Sequence, residues 1–133
     1  MTVGDELRQQ VNVLCSRLIK EHGFRVVSFT YSPNLQGPYP TAGCEVASER
    51  LRLGFERQEG GTCLRFQAVR DPKKRVYMLH RVWRLLTGTW GHEGGVVLSH
   101  PGVSAYLESH WESVLDLFSD ARVDETCAQL DAL

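Results

Sequence analysis

The sequence lacks the long apolar runs that mark membrane proteins and secreted precursors. Among its 133 residues, no apolar run approaches the roughly 20 residues that a transmembrane helix needs. The N-terminal segment includes Asp5 and Glu6 and contains no apolar stretch of the kind found in a secretory signal. We therefore expect a cytoplasmic protein without a membrane segment.

Cysteine is scarce, and no two cysteines are closely spaced. The four residues are Cys15, Cys44, Cys63 and Cys127. Structural zinc sites need at least one close pair of Cys or His ligands, and the sequence contains no such pair. Neither Cys44 nor Cys63, which both follow predicted loops or turns, lies in a Cys–His nucleophile signature. The sequence therefore predicts reduced, mostly buried thiols, no metal site and no cofactor.

Phosphate-binding motifs are absent as well. The glycine-rich segment 88–95 (GTWGHEGG) has neither a GxGxxG pattern nor a Walker lysine. Within it, His92 and Glu93 lie close to Trp90 and have side chains suited to acid–base chemistry. The sequence identifies no second positioned group for such a site. A small enzyme that uses His92 and Glu93 is therefore kept only as an alternative.

What the chain does contain is ordinary for a globular protein, with 42% hydrophobic and 23% charged residues. A chain of 133 residues is long enough to form one hydrophobic core, so a single domain is expected. The net charge of −1 conceals an asymmetry, because residues 50–85 carry +7 and residues 86–133 carry −7. The basic block either attracts phosphates, pairs with the acidic end of the chain, or meets a protein partner by charge complementarity.

Apolar residues at helical spacing predict an N-terminal helix and further helices in the second half of the chain. The predicted ranges are 3–22, 75–86, ending near Gly88, and 102–118. A last short helix is expected after Ser119 and Asp120, which are suited to cap it. Its apolar side comprises Val123, Cys127 and Leu130.

Between residues 24 and 69 the apolar pattern changes to a period of two, which is typical of strands. Strands are predicted at Phe24–Tyr31, Cys44–Ala47, 50–56 and 64–68, with a long loop at 32–43 and a tight turn at 59–61. Residues 96–98 are interpreted either as a further short strand or as buried coil. The expected fold is α+β, a three- or four-stranded antiparallel meander with helices packed on its apolar face.

One face of this predicted sheet is rich in arginine. Arg50 and Arg52 alternate with apolar residues, and Arg65 is expected opposite them on the next strand. RNA-binding sheets add exposed aromatic residues to such charge, but Phe55 and Phe66 alternate with the arginines and are expected to face the core. Arginine is also enriched in protein interfaces. The candidate binding residues are Arg50, Arg52, Arg57, Arg65, Gln67, Tyr39 and Trp90.

The outer faces of the C-terminal helices are acidic. Their carboxylates are Glu108, Glu112, Asp116, Asp120, Asp124, Glu125 and Asp131. Such a run is usually a solvated face, and it also suits a basic partner such as a nuclease toxin. Which charged pole docks a partner therefore stays open.

Several short motifs between residues 7 and 87 accompany these patterns. They are Gly23-Phe24-Arg25-Val26, Ser32-Pro33-Asn34, the alternating run Leu51–Phe55, and Arg57 followed by Gly60. In these motifs the chain resembles small, mostly uncharacterised bacterial proteins that lie beside polymorphic toxins and are presumed immunity proteins. The resemblance implies a protein that binds a toxin and has no catalytic residues.

These observations favour a non-enzymatic protein-binding module, an immunity-type inhibitor that binds and blocks a cognate bacterial toxin. A nucleic-acid-binding protein that uses the basic block 50–85 is the principal alternative. The nucleic-acid alternative predicts a steep dependence of binding on salt concentration.

Overall fold

The computed structural model describes residues 2–33, 40–58, 61–90 and 96–133. Within these ranges the chain has an α+β fold built on one antiparallel sheet of five strands, which follow one another in sequence order. The strands are β1 (Arg25–Ser32), β2 (Thr41–Ala47), β3 (Leu51–Gln58), β4 (Gly61–Ala68) and β5 (Val76–Met78). The predicted fold class and the meander topology are therefore confirmed, with one strand more than expected.

Helices precede and follow the sheet. They are α1 (Val3–Leu14), α2 (Ser16–Glu21), α3 (Leu79–Thr87), α4 (Pro101–Ser109), α5 (Trp111–Leu117) and α6 (Val123–Asp131). The first helix begins with a capping box, in which Thr2 and Asp5 each accept a hydrogen bond from the other's backbone N–H. Of the helices in the described ranges, none combines the length and apolarity needed to cross a bilayer.

Two predicted helices are each divided into two. The helix predicted at 102–118 breaks at His110, whose Nδ1 lies 2.8 Å from the carbonyl oxygen of Tyr106. The His110 backbone N–H donates instead to Leu107 O, so the regular helical ladder ends there. The helix predicted at 3–22 breaks at Cys15 (φ −99°, ψ 8°), and Leu14 and Leu18 on either side of the break are buried in the core.

The prediction that residues 75–86 form one helix was wrong at its start. Val76, Tyr77 and Met78 form β5, which pairs antiparallel with β4 through Gln67, Phe66 and Arg65 respectively. Only Tyr77 of this strand is buried, so the segment alternates like any edge strand. The helix begins after it and ends where expected, at Gly88 with a φ of 79°.

Two other expectations need correction, and one open alternative is decided. The strand predicted at Cys44–Ala47 begins at Thr41, because residues 41–43 continue the pairing with β1 that the loop prediction 32–43 overlooked. Residues 96–98 form coil, in which Leu98 is buried. Asp120 does not cap α6, since its carboxylate pairs with arginine side chains and the helix starts at Val123 without a side-chain cap.

The core lies between one face of the sheet and the helices. Strand residues such as Leu53, Phe55 and Phe66 are almost fully buried there, as their alternation predicts. Trp111 of α5 is also fully buried, and its Nε1 donates to the carbonyl oxygen of Leu14 at 2.9 Å. Because each helix contributes buried residues to this one core, the helices all pack on the same face of the sheet.

Candidate functional site

The opposite face of the sheet is the open face. Its residues are cross-strand neighbours that alternate with the core positions: Ser28, Thr30, Gly43, Glu45, Arg52, Gly54, Glu56, Cys63, Arg65, Gln67, Val76 and Met78. Within the described ranges, the buried side chains of the helices lie on the other side of the sheet. A broad surface of backbone and polar side chains is therefore left to solvent.

Charges of both signs pair across this open face. Arg52 Nε lies 3.8 Å from Glu45 Oε2, and Arg65 Nη2 lies 3.6 Å from a carboxylate oxygen of Glu56. Each of these side chains is a third or more exposed. Exposed ion pairs contribute only about 0–1 kcal/mol to stability, so these groups can exchange partners at little cost.

The open face also has a depression and an apolar border. A shallow cavity of about 340 Å³ lies where the side-chain-free Gly43 meets Thr30, Glu56 and Arg65. A Cβ at Gly43 would lie 2.9 Å from Thr30 Oγ1, so a larger residue there would force the Thr30 side chain to shift. Val76 and Met78, 52% and 37% exposed, form the apolar border along β5.

Three of the predicted binding residues lie together on the open face. They are Arg52, Gln67 and Arg65, of which Arg52 pairs with Gln67 and Arg65 lies opposite Gly54. The Nε2 of Gln67 donates to Lys74 O at 3.1 Å, which holds that side chain at the β5 end of the face. The sequence prediction of a polar, arginine-bearing sheet face therefore agrees with the structure.

Two predicted arginines do not belong to this face. Arg57 has the same parity on β3 as the buried Phe55, and its Nη2 lies 3.3 Å from Glu6 Oε2 of α1, on the helical side. Arg50 precedes β3 and turns toward the helices, where it shares Asp120 with Arg70. Period-two counting places Arg50 on the same face as Arg52 and does not anticipate its ion pair with Asp120. The same counting places Arg57 on the face of Phe55, so its grouping with the other arginines was wrong on parity alone.

The remaining candidates lie elsewhere. Trp90 follows α3 and is 49% exposed, and the Arg84 guanidinium lies 5.5 Å from its ring centroid. The structure thus associates Trp90 with α3 rather than with the arginines of the sheet. Tyr39, His92 and Glu93 lie outside the described residues.

The basic block pairs largely with the protein's own carboxylates. Within the described ranges, six of its ten basic side chains form ion pairs, and two of the acceptors, Asp120 and Asp131, belong to the acidic end of the chain. The best-buried pair is Asp71 with Arg75, whose Nε donates to Asp71 Oδ2 at 3.0 Å. Hydrogen bonds from Arg75 lower the pKa of Asp71 to about 2. The positive charge of the block is therefore partly neutralised inside the molecule.

A second concave region, which sequence patterns did not indicate, lies between α2, the β2–β3 turn and α5. Its cavity of about 420 Å³ has Phe24 and Phe118 among its lining residues and Arg50 and His22 among its polar ones. His22 Nε2 lies 3.8 Å from Glu112 Oε1. These two residues are far apart in sequence and share no recognisable motif, so only the fold brings them together.

Glu21, His22 and Glu112 bring their ligand atoms within 4.8 Å of one another, a spacing compatible with a metal ion. Arg17, however, already pairs with both carboxylates: its Nε lies 3.4 Å from Glu21, and its Nη2 hydrogen-bonds to Glu112. A guanidinium at these oxygens repels a second cation. The arrangement is therefore an ion-pair network that ties α2 to α5.

The cysteines differ in exposure. Cys15, Cys44 and Cys127 are buried, and Cys63 is exposed on the open face. Burial raises the pKa of Cys15 to about 12 and also raises those of Cys44 and Cys127. A thiol whose pKa is raised in this way is a poor nucleophile at neutral pH. The three buried cysteines therefore act as small apolar core residues.

Comparison of the chain with family models, with curated proteins and with solved structures gives no match.

Proposed function

We propose that this chain is a non-enzymatic protein-binding module of the immunity type, which binds and blocks a cognate bacterial toxin through its open face. The observation that carries the proposal is the uncovered side of the five-stranded sheet, where arginines, carboxylates and two apolar side chains are exposed together. The resemblance of residues 7–87 to presumed immunity proteins covers most of α1 and all of this sheet.

The dimensions of the open face suit a protein partner. Five strands about 4.8 Å apart and up to eight residues long span roughly 20 Å by 25 Å, an area of about 500 Å². Stable interfaces bury about 800 Å² on each partner. The face therefore supplies more than half of such an interface.

The chemistry of the face also suits a protein. Arg52 and Arg65 are held at the surface by weak, exposed ion pairs, and arginine is among the residues enriched at interface centres. Alternating positive and negative groups select a partner by the register of its own charges. Val76 and Met78 add apolar area at one border.

The nucleic-acid alternative has less support. Phosphate binding needs unpaired basic side chains, whereas most of the basic block pairs with carboxylates within the chain. Stacking on bases needs exposed aromatic rings, whereas Phe55, Phe66 and Tyr77 lie in the core. A mixed-charge face with buried aromatic residues favours a protein partner instead.

The test begins with recovery of the tagged chain from its native organism at moderate salt, followed by identification of the bound proteins by mass spectrometry. We expect one dominant toxin-like protein in near-equal amount, and co-expression of the chain should restore growth to cells that produce that protein. In binding measurements, the double substitution Arg52→Ser/Arg65→Ser should weaken the affinity at least about tenfold, or about 1.4 kcal/mol.

The matched control is Lys20→Ser/Arg122→Ser, which removes two positive charges from the helical side of the molecule. It should leave the affinity within about twofold of the original protein, since charges outside an interface contribute little. Equal affinity for the Arg52→Ser/Arg65→Ser variant, with an unchanged thermal midpoint, would contradict a role for the open face. Recovery of nucleic acid instead of a protein would favour the alternative function.

A further inference from the structure

The open face has a second depression, which lies where Gly54 of β3 has no side chain. We call it the Gly54 depression, and its cavity of about 200 Å³ is lined by residues of four strands: Glu45, Arg52, Gly54, Arg65, Gln67 and Val76. Two of the three charged side chains in this lining are arginines. A carboxylate that enters the depression therefore meets a net positive charge.

The fold gives no reason for a glycine at position 54. The φ of Gly54 lies outside the positive range, and a Cβ built there would come no closer than 3.5 Å to Arg65 Nε, an ordinary van der Waals contact. Glycine in the interior of a strand weakens the strand, and it often marks a place where a ligand or another chain approaches the backbone closely. The missing side chain therefore indicates space for a group that enters from outside.

The two arginines of the Gly54 depression differ from the best-paired arginine of the basic block. Arg75 Nη1 donates to Asp131 Oδ2 at 2.6 Å, a full charge-assisted hydrogen bond. Arg52 and Arg65 lie 3.8 Å and 3.6 Å from their carboxylate partners, beyond hydrogen-bond distance. In the described part of the chain, neither of these two guanidinium groups donates a hydrogen bond. Both therefore keep their N–H donors for an external acceptor.

We propose that the Gly54 depression is a carboxylate subsite, which receives an aspartate or glutamate side chain of the protein partner between Arg52 and Arg65. This inference rests on the proposed function and adds the chemistry of the partner's contact residue. A guanidinium group binds a carboxylate through two parallel N–H···O bonds, so two such groups can satisfy both oxygens of one side chain.

The strand register places the two arginines on either side of the depression. Arg52 pairs with Gln67, whereas Arg65 lies two residues before Gln67 on β4 and pairs with Gly54. Arg52 and Arg65 are therefore diagonal neighbours on adjacent strands, about 7–8 Å apart at the backbone, a gap that one carboxylate can bridge. Val76 lies opposite Gln67 on β5 and is 52% exposed, so it offers an apolar contact to the methylene groups of the entering side chain.

Glu45 lines the same depression and competes for Arg52. Their ion pair is exposed and therefore weak, so an external carboxylate can replace Glu45 at little cost. Glu56, the partner of Arg65, lines the neighbouring cavity beside Gly43 instead. Neutralising Glu45 should consequently strengthen carboxylate binding, whereas filling the Gly54 depression should weaken it.

The first experiment follows the arginine Nε–H signals of the whole, isotopically labelled chain by NMR. The probe is N-acetylglutamate N-methylamide, added to about 100 mM because a single exposed ion pair is weak. N-acetylglutamine N-methylamide at the same ionic strength is the uncharged control probe. We expect the signals of Arg52 and Arg65 to shift with the glutamate probe alone. The signal of Arg75 should stay in place, because its Nε already donates to Asp71.

Two variants of the chain should change the affinity for the glutamate probe in opposite directions. Gly54→Ala should weaken binding at least about threefold, because a methyl group then occupies space that the carboxylate needs. Its thermal midpoint should equal or exceed that of the unsubstituted chain, since alanine loses less conformational freedom on folding than glycine. Glu45→Gln should strengthen binding about two- to fivefold, the effect of one competing ion pair.

The same subsite can be tested with the toxin recovered as described above. Arg65→Lys should weaken toxin binding at least about threefold, because lysine keeps the charge and loses the planar set of donors. Arg122→Lys on the helical side is the matched control and should leave toxin binding unchanged.

The carboxylate subsite would be overturned if the signals of Arg52 and Arg65 did not move, or moved equally with the glutamine probe. Unchanged probe affinity in a folded Gly54→Ala chain would also overturn it. If Arg52→Ser/Arg65→Ser weakened toxin binding and neither Gly54→Ala nor Arg65→Lys did, the proposed function would stand and the subsite would not. Selective probe binding by a chain that recovers no protein partner would instead support the subsite and count against the proposed function.

Discussion

The buried carboxylate of Asp71 offers a quantitative test of the fold. Its side chain is only 2% exposed and accepts hydrogen bonds from Arg75 Nε at 3.0 Å and from the backbone N–H groups of Arg75 and Lys73. Arg75 in turn donates to Asp131 Oδ2 at 2.6 Å. This network fastens the β4–β5 turn to α6, so the loss of Asp71 should destabilise the whole domain.

The magnitude follows from the pKa of Asp71, which falls from 3.8 to about 2, chiefly because of the side-chain hydrogen bonds from Arg75. A shift of this size corresponds to about 2 kcal/mol of folding free energy at pH 7. Asp71→Asn should therefore lower the free energy of unfolding by about 2 kcal/mol. Because the folded-state pKa is depressed, this contribution is complete above about pH 4 and is lost as the pH falls through about 2.

Urea unfolding followed by tryptophan fluorescence, repeated from pH 7 to pH 2, measures both features. The difference between the original chain and Asp71→Asn should be largest at neutral pH and should nearly vanish at pH 2. Asp116→Asn is the control, because the Asp116–Arg122 pair is exposed and its loss should change stability by less than about 0.5 kcal/mol. The stabilising role of Asp71 would be refuted if Asp71→Asn lowered the free energy of unfolding at neutral pH no more than Asp116→Asn does. It would also be refuted if the loss in Asp71→Asn did not depend on pH.

Three further predictions concern packing and reactivity. Trp111→Phe removes a buried N–H donor and leaves a backbone carbonyl of α1 unpaired, so urea unfolding should show a loss of about 1–3 kcal/mol. Gly43→Ala brings a Cβ within 2.9 Å of Thr30 Oγ1 and should lower the thermal midpoint, and the added substitution Thr30→Ala should restore most of the loss. In native protein, a thiol reagent should label Cys63 rapidly and the three buried cysteines only after unfolding, as mass spectrometry of the labelled chain would reveal.

Local patterns predicted much of the fold because local physics controls it. The alternation of Leu51, Leu53 and Phe55 with polar residues identified a strand with one buried face, since successive side chains point to opposite sides. The glycine at position 88 correctly predicted the end of α3, because the left-handed backbone conformation found there is unfavourable for most other residues. Each of these features depends on neighbours within a few positions along the chain.

Where the local sequence is compatible with more than one structure, tertiary contacts decide which structure forms. Residues 76–78 continue the helical spacing of the segment that follows, yet they form β5 because β4 offers them a hydrogen-bonding edge. Asp120 has the residue type of a helix cap, yet Arg50 and Arg70 hold its carboxylate elsewhere. Each partner lies about 10 to 70 residues away in sequence, beyond the reach of any local pattern.

By itself, then, the sequence determined the α+β class, the buried face of the sheet and the polar character of the other face. Strand parity also places Arg52 and Arg65 on that face and Arg57 on the helical side. The tertiary structure alone decided the ion-pair partners, among them Asp120 for Arg50 and Glu6 for Arg57. The physical reason is that periodicity specifies the direction of a side chain, whereas the partner of a long, flexible arginine depends on what the completed fold places within its reach.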